Sequence, residues 1–228
     1  TMDSMYDILL TLPLFNGASR EKLSEIAGST KLHFLKYTPG EKIVTAGESC
    51  THIKFVISGS VRSTVSNVGE RFSVSQTLAA PDVISPEFLF GRSTLYPCDV
   101  VAVDTAGILQ IAKTDYLNIL SSDRVFLLNY LNKLSMFAQK GIDGILSFTQ
   151  GSLDERFAYW IIALTQRSGR DITLTCKQRD LNALFGVQRS SFIAMLDGLK
   201  ERGVIDYRPG IINILDRGAL EQMLSAQD

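Results

Sequence analysis

Between Ser29 and Ala112 apolar and polar residues alternate over short stretches. The runs IKFVISG (53–59), GSVRSTV (59–65), FSVSQTL (72–78) and DVVAVDTAGILQI (99–111) are rich in Val, Ile, Thr and Phe, residues that suit a pleated, half-buried surface. Turn formers separate them: Pro39-Gly40, Ala46-Gly47-Glu48, Asn67-Val68-Gly69-Glu70 and Pro81-Asp82. Short strands at regular spacing with Gly-centred turns predict a β-sandwich or barrel. After Asp123 the period changes. Leu127, Leu131, Leu134, Ala138, Gly141, Ile145 and Phe148 step alternately by four and three residues, a heptad seam across 123–148. Ala138 and Gly141 lie mid-seam, where small side chains let two helix backbones approach. A bare seam of this length predicts a twin helix; the plainer alternative is one long helix packed on its own β domain. Leu128, Ile142 and Leu146 form a neighbouring stripe, through which the helix could touch its own domain as well.

TQGS (149–152) interrupts that pattern, and the stretch Gln150–Ser152 is read as a hinge. LDERFAYWIIALTQRSGRD then reads as an amphipathic helix ending near Ser168-Gly169, and the last sixty or so residues as short helices with a β-hairpin. The densest signal is CKQRDLNALFGVQRSSFIAMLDGLKERGVI (176–205). Leu181, Leu184 and Phe185 give one short helix an apolar face, and Gly186 suits a turn that needs positive φ. Phe192, Met195, Leu196 and Leu199 give a second helix its buried side, which Gly203 ends. Two helices joined by such a turn are a helix-turn-helix, whose second helix enters the DNA major groove. Gln188, Arg189, Ser190 and Ser191 sit at the start of that helix; Arg suits guanine and Gln suits adenine. Lys177 and Arg179 open the first helix, where phosphate is met. VIDYRPGIINI (204–214) reads as a wing with Pro209-Gly210 at its tip. A plain helical hairpin with solvated polar residues is the alternative reading.

Composition narrows the classes. The 228 residues, 45% hydrophobic with net charge −1, suit an ordinary globular protein with room for two cores. Yet Arg167–Arg208 holds eight Lys/Arg against five Asp/Glu, a local basic excess. No apolar run approaches the ~18 residues of a membrane span, so no membrane partner is expected. The opening TMDSMYDILL lacks the basic start and long apolar core of an export signal. Cysteines at 50, 98 and 176 build neither a disulfide framework nor a CxxC site, which points to the reducing cytoplasm. With only His33 and His52 there is no metal-ligand spacing, and P-loop, GxGxxG, HExxH and GxSxG patterns are absent. An enzyme is not expected; a cupin-like metal enzyme is the remaining enzymatic alternative.

With these pieces in order, the chain resembles the CRP/FNR family of bacterial transcription regulators. LPLFNGASREKLSEIA (12–27) is similar to the family's helical entry. TPGEKIVTAGE (38–48) and FVISGSVR (55–62) are similar to its roll signature, and LFGVQRSSFIAMLDGLKERGVI (184–205) to its helix-turn-helix. The resemblance implies an α+β fold in three parts. An antiparallel, jelly-roll-like β-roll with entry helices would occupy 1–122, a dimerisation helix and hinge 123–150, and a winged helix-turn-helix 151–228. It implies a cytoplasmic homodimer that binds an inverted repeat in double-stranded DNA, with RNA polymerase as a further partner. Arg189 then matches the guanine-reading arginine, Ser190 a position where many members carry Glu, Ser191 a phosphate-contacting hydroxyl, and Ala194 a position where a second Arg is common. Ser190 and Ala194 therefore depart from the usual operator code. Gln188 replaces a better-capping Ser/Thr, leaving it free as a base reader.

The same resemblance places the effector pocket at PEFLFGRSTLYPC (86–98), with Glu87, Phe88, Arg92, Pro97 and Cys98 as its candidate residues. Cyclic-nucleotide-binding relatives use Glu for the ribose and Arg-Ser/Thr for the cyclic phosphate. Glu87 falls at the ribose position, but Pro97 and Cys98 fall at the phosphate positions. Pro cannot donate a hydrogen bond and Cys donates weakly. Arg92 substitutes only if its loop folds inward. Cyclic AMP and cyclic GMP are disfavoured, a cyclic-nucleotide response through a reworked phosphate site being the alternative. An iron–sulfur cluster lacks its cysteines. Haem stays open through similarity to the nitrosative-stress branch, with His33, His52, Cys98 or Met136 as axial candidates. A redox switch at Cys98 or Cys50 and a ligand-free dimer also stay open, so the effector is unknown.

Overall fold

A computed structural model describes residues 2–149 and 151–225, which fall into two compact units. The first comprises residues up to 63 and 78–137; the second comprises 64–77 and the chain from 138 onward. In the first, α1 (Met2–Thr11), a 3₁₀ turn (Pro13–Phe15) and α2 (Arg20–Ser29) form the entry. Ser19 caps α2, its hydroxyl accepting from the Lys22 N–H at 3.2 Å. Leu12, Phe15, Leu23 and Ile26 from this entry pack into the core of a β-roll.

The roll is built from β1 (His33–Tyr37), β2 (Lys42–Val44), β3 (His52–Ser58), β4 (Ser60–Ser66), β5 (Phe72–Ala79), β6 (Asp82–Ile84), β7 (Cys98–Ala102) and β8 (Ala106–Ala112). One sheet runs β1-β8-β3-β6, antiparallel throughout, and β4-β7-β2 faces the same core. The two-residue period sets the burial: Cys98, Val100 and Ala102 turn inward from β7 while Asp99 and Val101 alternate outward. The run 99–111, expected to be one strand, is two. Asp104 accepts from the Ser60 N–H at 2.7 Å and the Ser60 hydroxyl at 3.0 Å, which fixes a turn between β7 and β8. That turn lies so close to Gly59 (φ +70) that a Cβ there would stand 2.3 Å from the Thr105 carbonyl oxygen, so the β3–β4 connection requires glycine.

α3 (Lys113–Ser122) leads into α4 (Arg124–Leu146). Phe126 and Tyr130 of α4 are buried in the roll's core, Phe126 lying edge-on to Phe15 at 5.5 Å. The seam residues lie mostly outside: Leu127, Leu131, Ala138, Gly141 and Ile145 are exposed, Leu131 by 46% and Ile145 by 71%. Leu134 departs from them, half-buried against the roll. Of the hinge read at 150–152, Gln150 lies outside the described residues; Ser152 is the N-cap of the next helix.

The second unit contains the outer part of the β4–β5 hairpin, α5 (Leu153–Leu164), β9 (Arg170–Cys176), α6 (Gln178–Phe185), α7 (Arg189–Glu201), β10 (Ile205–Arg208), β11 (Ile211–Ile214) and α8 (Arg217–Ser225). Its strands run β10-β11-β9-β5, with Phe72 opposite Cys176 and Val74 opposite Leu174. Ser152 and Glu155 form a reciprocal capping box at the start of α5. The helix expected to reach Ser168-Gly169 stops at Leu164. The Thr165 hydroxyl donates back to the Ile161 carbonyl at 2.7 Å, and the Gln166 N–H is taken by Gln76 Oε1 at 2.8 Å. The chain then enters a strand, β9, whose Ile172, Leu174 and Cys176 alternate into the core. Phe157, Trp160, Phe185 and Phe192 fill the centre of this unit.

Candidate nucleic-acid interface

α6 and α7 are held by their apolar faces, which leaves their polar residues outward. Leu181 and Phe185 of α6 meet Phe192, Met195, Leu196 and Leu199 of α7 in the core, with Phe185 and Phe192 at 5.7 Å. Gly186 ends α6 at φ +64, its N–H reaching the Ala183 and Asn182 carbonyls. Arg156 braces the same helix end, donating to the Phe185 carbonyl at 2.7 Å. Gln188 is the N-cap of α7, but its side chain makes no capping bond, so it is left to meet an outside group.

The seven residues expected to touch DNA are all exposed: Lys177, Arg179, Gln188, Arg189, Ser190, Ser191 and Ala194. Lys177, Arg179 and Arg189 line one open cleft of about 660 Å³ together with the wing tip Pro209-Gly210. A backbone bond places that tip: Cys176 N–H donates to the Gly210 carbonyl at 3.0 Å, directly before α6. The wing is fastened to the back of α7. Tyr207 donates its hydroxyl to Asp197, Lys200 pairs with Asp206 at 2.8 Å, and the Lys200 ammonium lies over the Tyr207 ring. The hydrogen bond to Asp197 raises the Tyr207 hydroxyl above its usual pKa, and the Lys200 hydrogen bond lowers that of Asp206.

Two lining residues were absent from the expected set. Gln178 and Asn182 sit four apart on α6 and face the cleft. Gln178 Nε2 and Asn182 Oδ1 are buried atoms without a hydrogen-bond partner among the described residues. Their i, i+4 spacing beside Lys177 was the signal that could have revealed them.

The expected effector residues lie in the first unit and are arranged differently. Glu87 and Phe88 are half-buried in a 3₁₀ turn, Pro86–Phe88, which follows Ser85 in the left-handed region (φ +43). Cys98 is buried beside Ser85, Oγ to Sγ 3.5 Å, and Tyr130 donates to the Pro86 carbonyl at 2.7 Å. Pro97 is half-buried, while Arg92 is exposed. Burial, chiefly, pushes the Cys98 thiol up; the Ser85 and Ser63 hydrogen bonds oppose this, and the charges acting on it are the carboxylates Glu87 and Asp99. Burial also pushes Tyr130 up to about 12, with Cys50 and Glu87 adding to it. Pro97 and Cys98, where the resemblance puts the cyclic phosphate, offer no side-chain donor and a weak one, with the Ser85 and Ser63 hydroxyls beside Cys98 and no cation among these residues.

The other ligand candidates are scattered. His33 and His52 stand edge to face at 6.3 Å, and Met136 is exposed on α4. Among the described residues no three His, Cys, Asp or Glu converge as a metal site. No helix among them is long and apolar enough to cross a membrane.

A roll with entry helices, a long helix and a winged helix-turn-helix define the architecture of a DNA-binding regulator. Comparison with known proteins places it further. Residues 34–123 match the cyclic nucleotide-binding domain family, and residues 155–223 match the Crp-like helix-turn-helix domain family. A cyclic AMP receptor protein of Thermus thermophilus is 27% identical over 219 residues, covering 92% of this chain and 96% of that protein. The crystal structure of the Thermus thermophilus catabolite activator protein shares the fold with a TM-score of 0.52 at 21% identity, covering 95% of this chain and 100% of that one. The sensor domain of the Pseudomonas aeruginosa regulator DNR does so with a TM-score of 0.54 at 19% identity, covering 67% and 97%. The chain belongs to the CRP/FNR family; it is a DNA-binding transcription regulator with a cyclic-nucleotide-binding-like domain.

Proposed function

We propose that this protein acts as a cytoplasmic homodimer that reads an inverted DNA repeat and whose roll answers to a signal other than a cyclic nucleotide. The observation carrying the first part is the cleft where Lys177, Arg179, Arg189 and the wing tip converge. Lys177 and Arg179 are suited to phosphate contacts at the start of α6. Arg189 and Gln188 offer bidentate base contacts at the start of α7, and Ser190 and Ser191 add hydroxyls. Ala194 offers only a methyl, so this half-site code differs from one read by two arginines.

The dimer reading is supported by α4, whose Leu127, Leu131, Ala138, Gly141 and Ile145 lie exposed at heptad spacing. Two copies joined there would set their recognition helices about 34 Å, one DNA turn, apart. Bound at a promoter, such a dimer recruits or blocks RNA polymerase. The Thermus thermophilus relative is named for cyclic AMP, but here Pro97, Cys98 and the outward Arg92 argue against that ligand.

The experiment is fluorescence anisotropy with a selected DNA duplex. Wild type should bind specifically, and Arg189→Ala should lose discrimination at one position of each half-site. Equal discrimination by both proteins would overturn the assignment of α7.

A further inference from the structure

We propose that the second unit carries a small-molecule site for a planar, apolar molecule with a single anionic group, such as an aromatic carboxylate. The site is a cleft of about 400 Å³ lined by Asn67, Arg71, Phe72, Trp160, Leu164, Cys176, Asp180 and Leu184. All eight belong to the second unit. The volume lies in the range of ligand pockets, and the mixture of aromatic and aliphatic walls with few polar groups is what such pockets use.

The floor is rigid. Trp160 is nearly buried, lies 5.3 Å edge-on to Phe185 and 5.6 Å from the Phe72 ring. Leu184 of α6 is a large apolar side chain left 48% exposed, so one wall of the cleft is apolar surface with nothing covering it. A flat hydrocarbon ring laid between Phe72, Trp160 and Leu184 would remove that surface from water.

The charge at the mouth chooses the ligand's polar end. Asp180 is paired with Arg179 at 3.3 Å. Arg71 has no such partner among the described residues, which leaves a guanidinium fork open to a carboxylate. Its position is set by the hairpin turn, where Asn67 and Phe72 are joined by N–H to carbonyl and N–H to Oδ1 bonds of 3.0 and 2.9 Å. The site is distinct from the sensor loop at Glu87–Cys98 and from the cleft that faces DNA, and it does not depend on the DNA reading. Because Asp180 and Leu184 belong to α6, a ligand there would touch the first helix of the helix-turn-helix itself.

Trp160 is the only tryptophan of the chain and so a built-in reporter. The test titrates 1-anilinonaphthalene-8-sulfonate, an aromatic anion, into the full chain while exciting tryptophan. Saturable one-to-one binding with Trp160 emission falling as the probe's rises is expected. Arg71→Gln, at an exposed loop position, should weaken that binding about tenfold or more at an unchanged melting temperature, with Arg71→Lys recovering most of it. The uncharged N-phenyl-1-naphthylamine should bind wild type and Arg71→Gln alike. Absence of saturable binding, absence of transfer from Trp160, or unchanged affinity in Arg71→Gln would each overturn the proposal.

Discussion

Helix α7 and the loop 86–98 are the two places where ligands are expected, and they treat polar residues in opposite ways. α7 turns its apolar residues to the core and leaves Arg189, Ser190 and Ser191 in solvent. The loop turns Cys98 inward, keeps Glu87 half-buried and sends its one arginine, Arg92, outward. The difference teaches how each kind of site tolerates change. A solvent-facing reading helix can exchange letters, Ser190 and Ala194 for the usual charged pair, because unmade contacts return to water. An enclosed anion site cannot lose its cation so cheaply, since desolvating a phosphate without a counter-charge is strongly unfavourable. The family fold is present in both places, and the residues that relatives use are matched at Arg189 and Ser191 but not at Pro97 and Cys98.

Four perturbations sharpen that contrast, beginning with the largest. The double change Leu131→Asp and Ile145→Asp alters two exposed positions of α4, so the fold should survive while the dimer does not. Sedimentation should show monomers, and operator affinity should fall roughly 10²- to 10⁴-fold as the two half-sites cease to be read together. A dimer persisting at micromolar concentration would refute the seam. Leu134 is a poorer probe, since it also packs on the roll. Next, Arg189→Ala should cost about 1–3 kcal/mol of specific binding and relax one base position; competition against mutated duplexes measures it.

The third change is made on the sensing side. Pro97→Arg with Cys98→Ser restores a cation and a hydroxyl, and calorimetry should show cyclic AMP affinity rising at least about tenfold over wild type. No rise would mean that the loop's shape, rather than its missing charge, excludes the nucleotide. The smallest effect belongs to Asp99, which accepts from the Ala46 N–H at 2.9 Å and from Lys42 at 3.3 Å. The Ala46 bond chiefly, then Lys42, hold its pKa below the usual carboxylate value. A lowered folded pKa contributes stability above the unfolded pKa, and that contribution is lost as pH falls through the folded one. Asp99→Asn should therefore cost no more than about 0.5 kcal/mol at pH 7, given its exposure, and melting curves of the two proteins should converge in acid.

Much of this architecture was legible in residue pattern alone because local rules agreed with the tertiary result. The two-residue alternation of the roll, Gly186 at positive φ and the Pro209-Gly210 wing tip each follow from a local steric or burial requirement. What escaped was set by distant partners. β9 was hidden because RDITLTC lies after a helical pattern whose end is decided by Gln76, ninety residues earlier in the chain. The break between β7 and β8 rests on Asp104 reaching Ser60, and a single run of β-formers does not announce it. On the reading surface, arginines declared themselves by charge, while Gln178 and Asn182 became visible only once the cleft showed their unpartnered atoms.

The central claim is that α7 of a dimer reads DNA through Arg189. Selection of bound sequences from a random duplex library, run in parallel with wild type and Arg189→Ala, tests it most directly. Wild type should enrich an inverted repeat whose half-site centres lie one helical turn apart, about 34 Å, and the variant should lose one symmetric base preference in each half. An enriched site without two-fold symmetry, or the same preferences in both proteins, would contradict it.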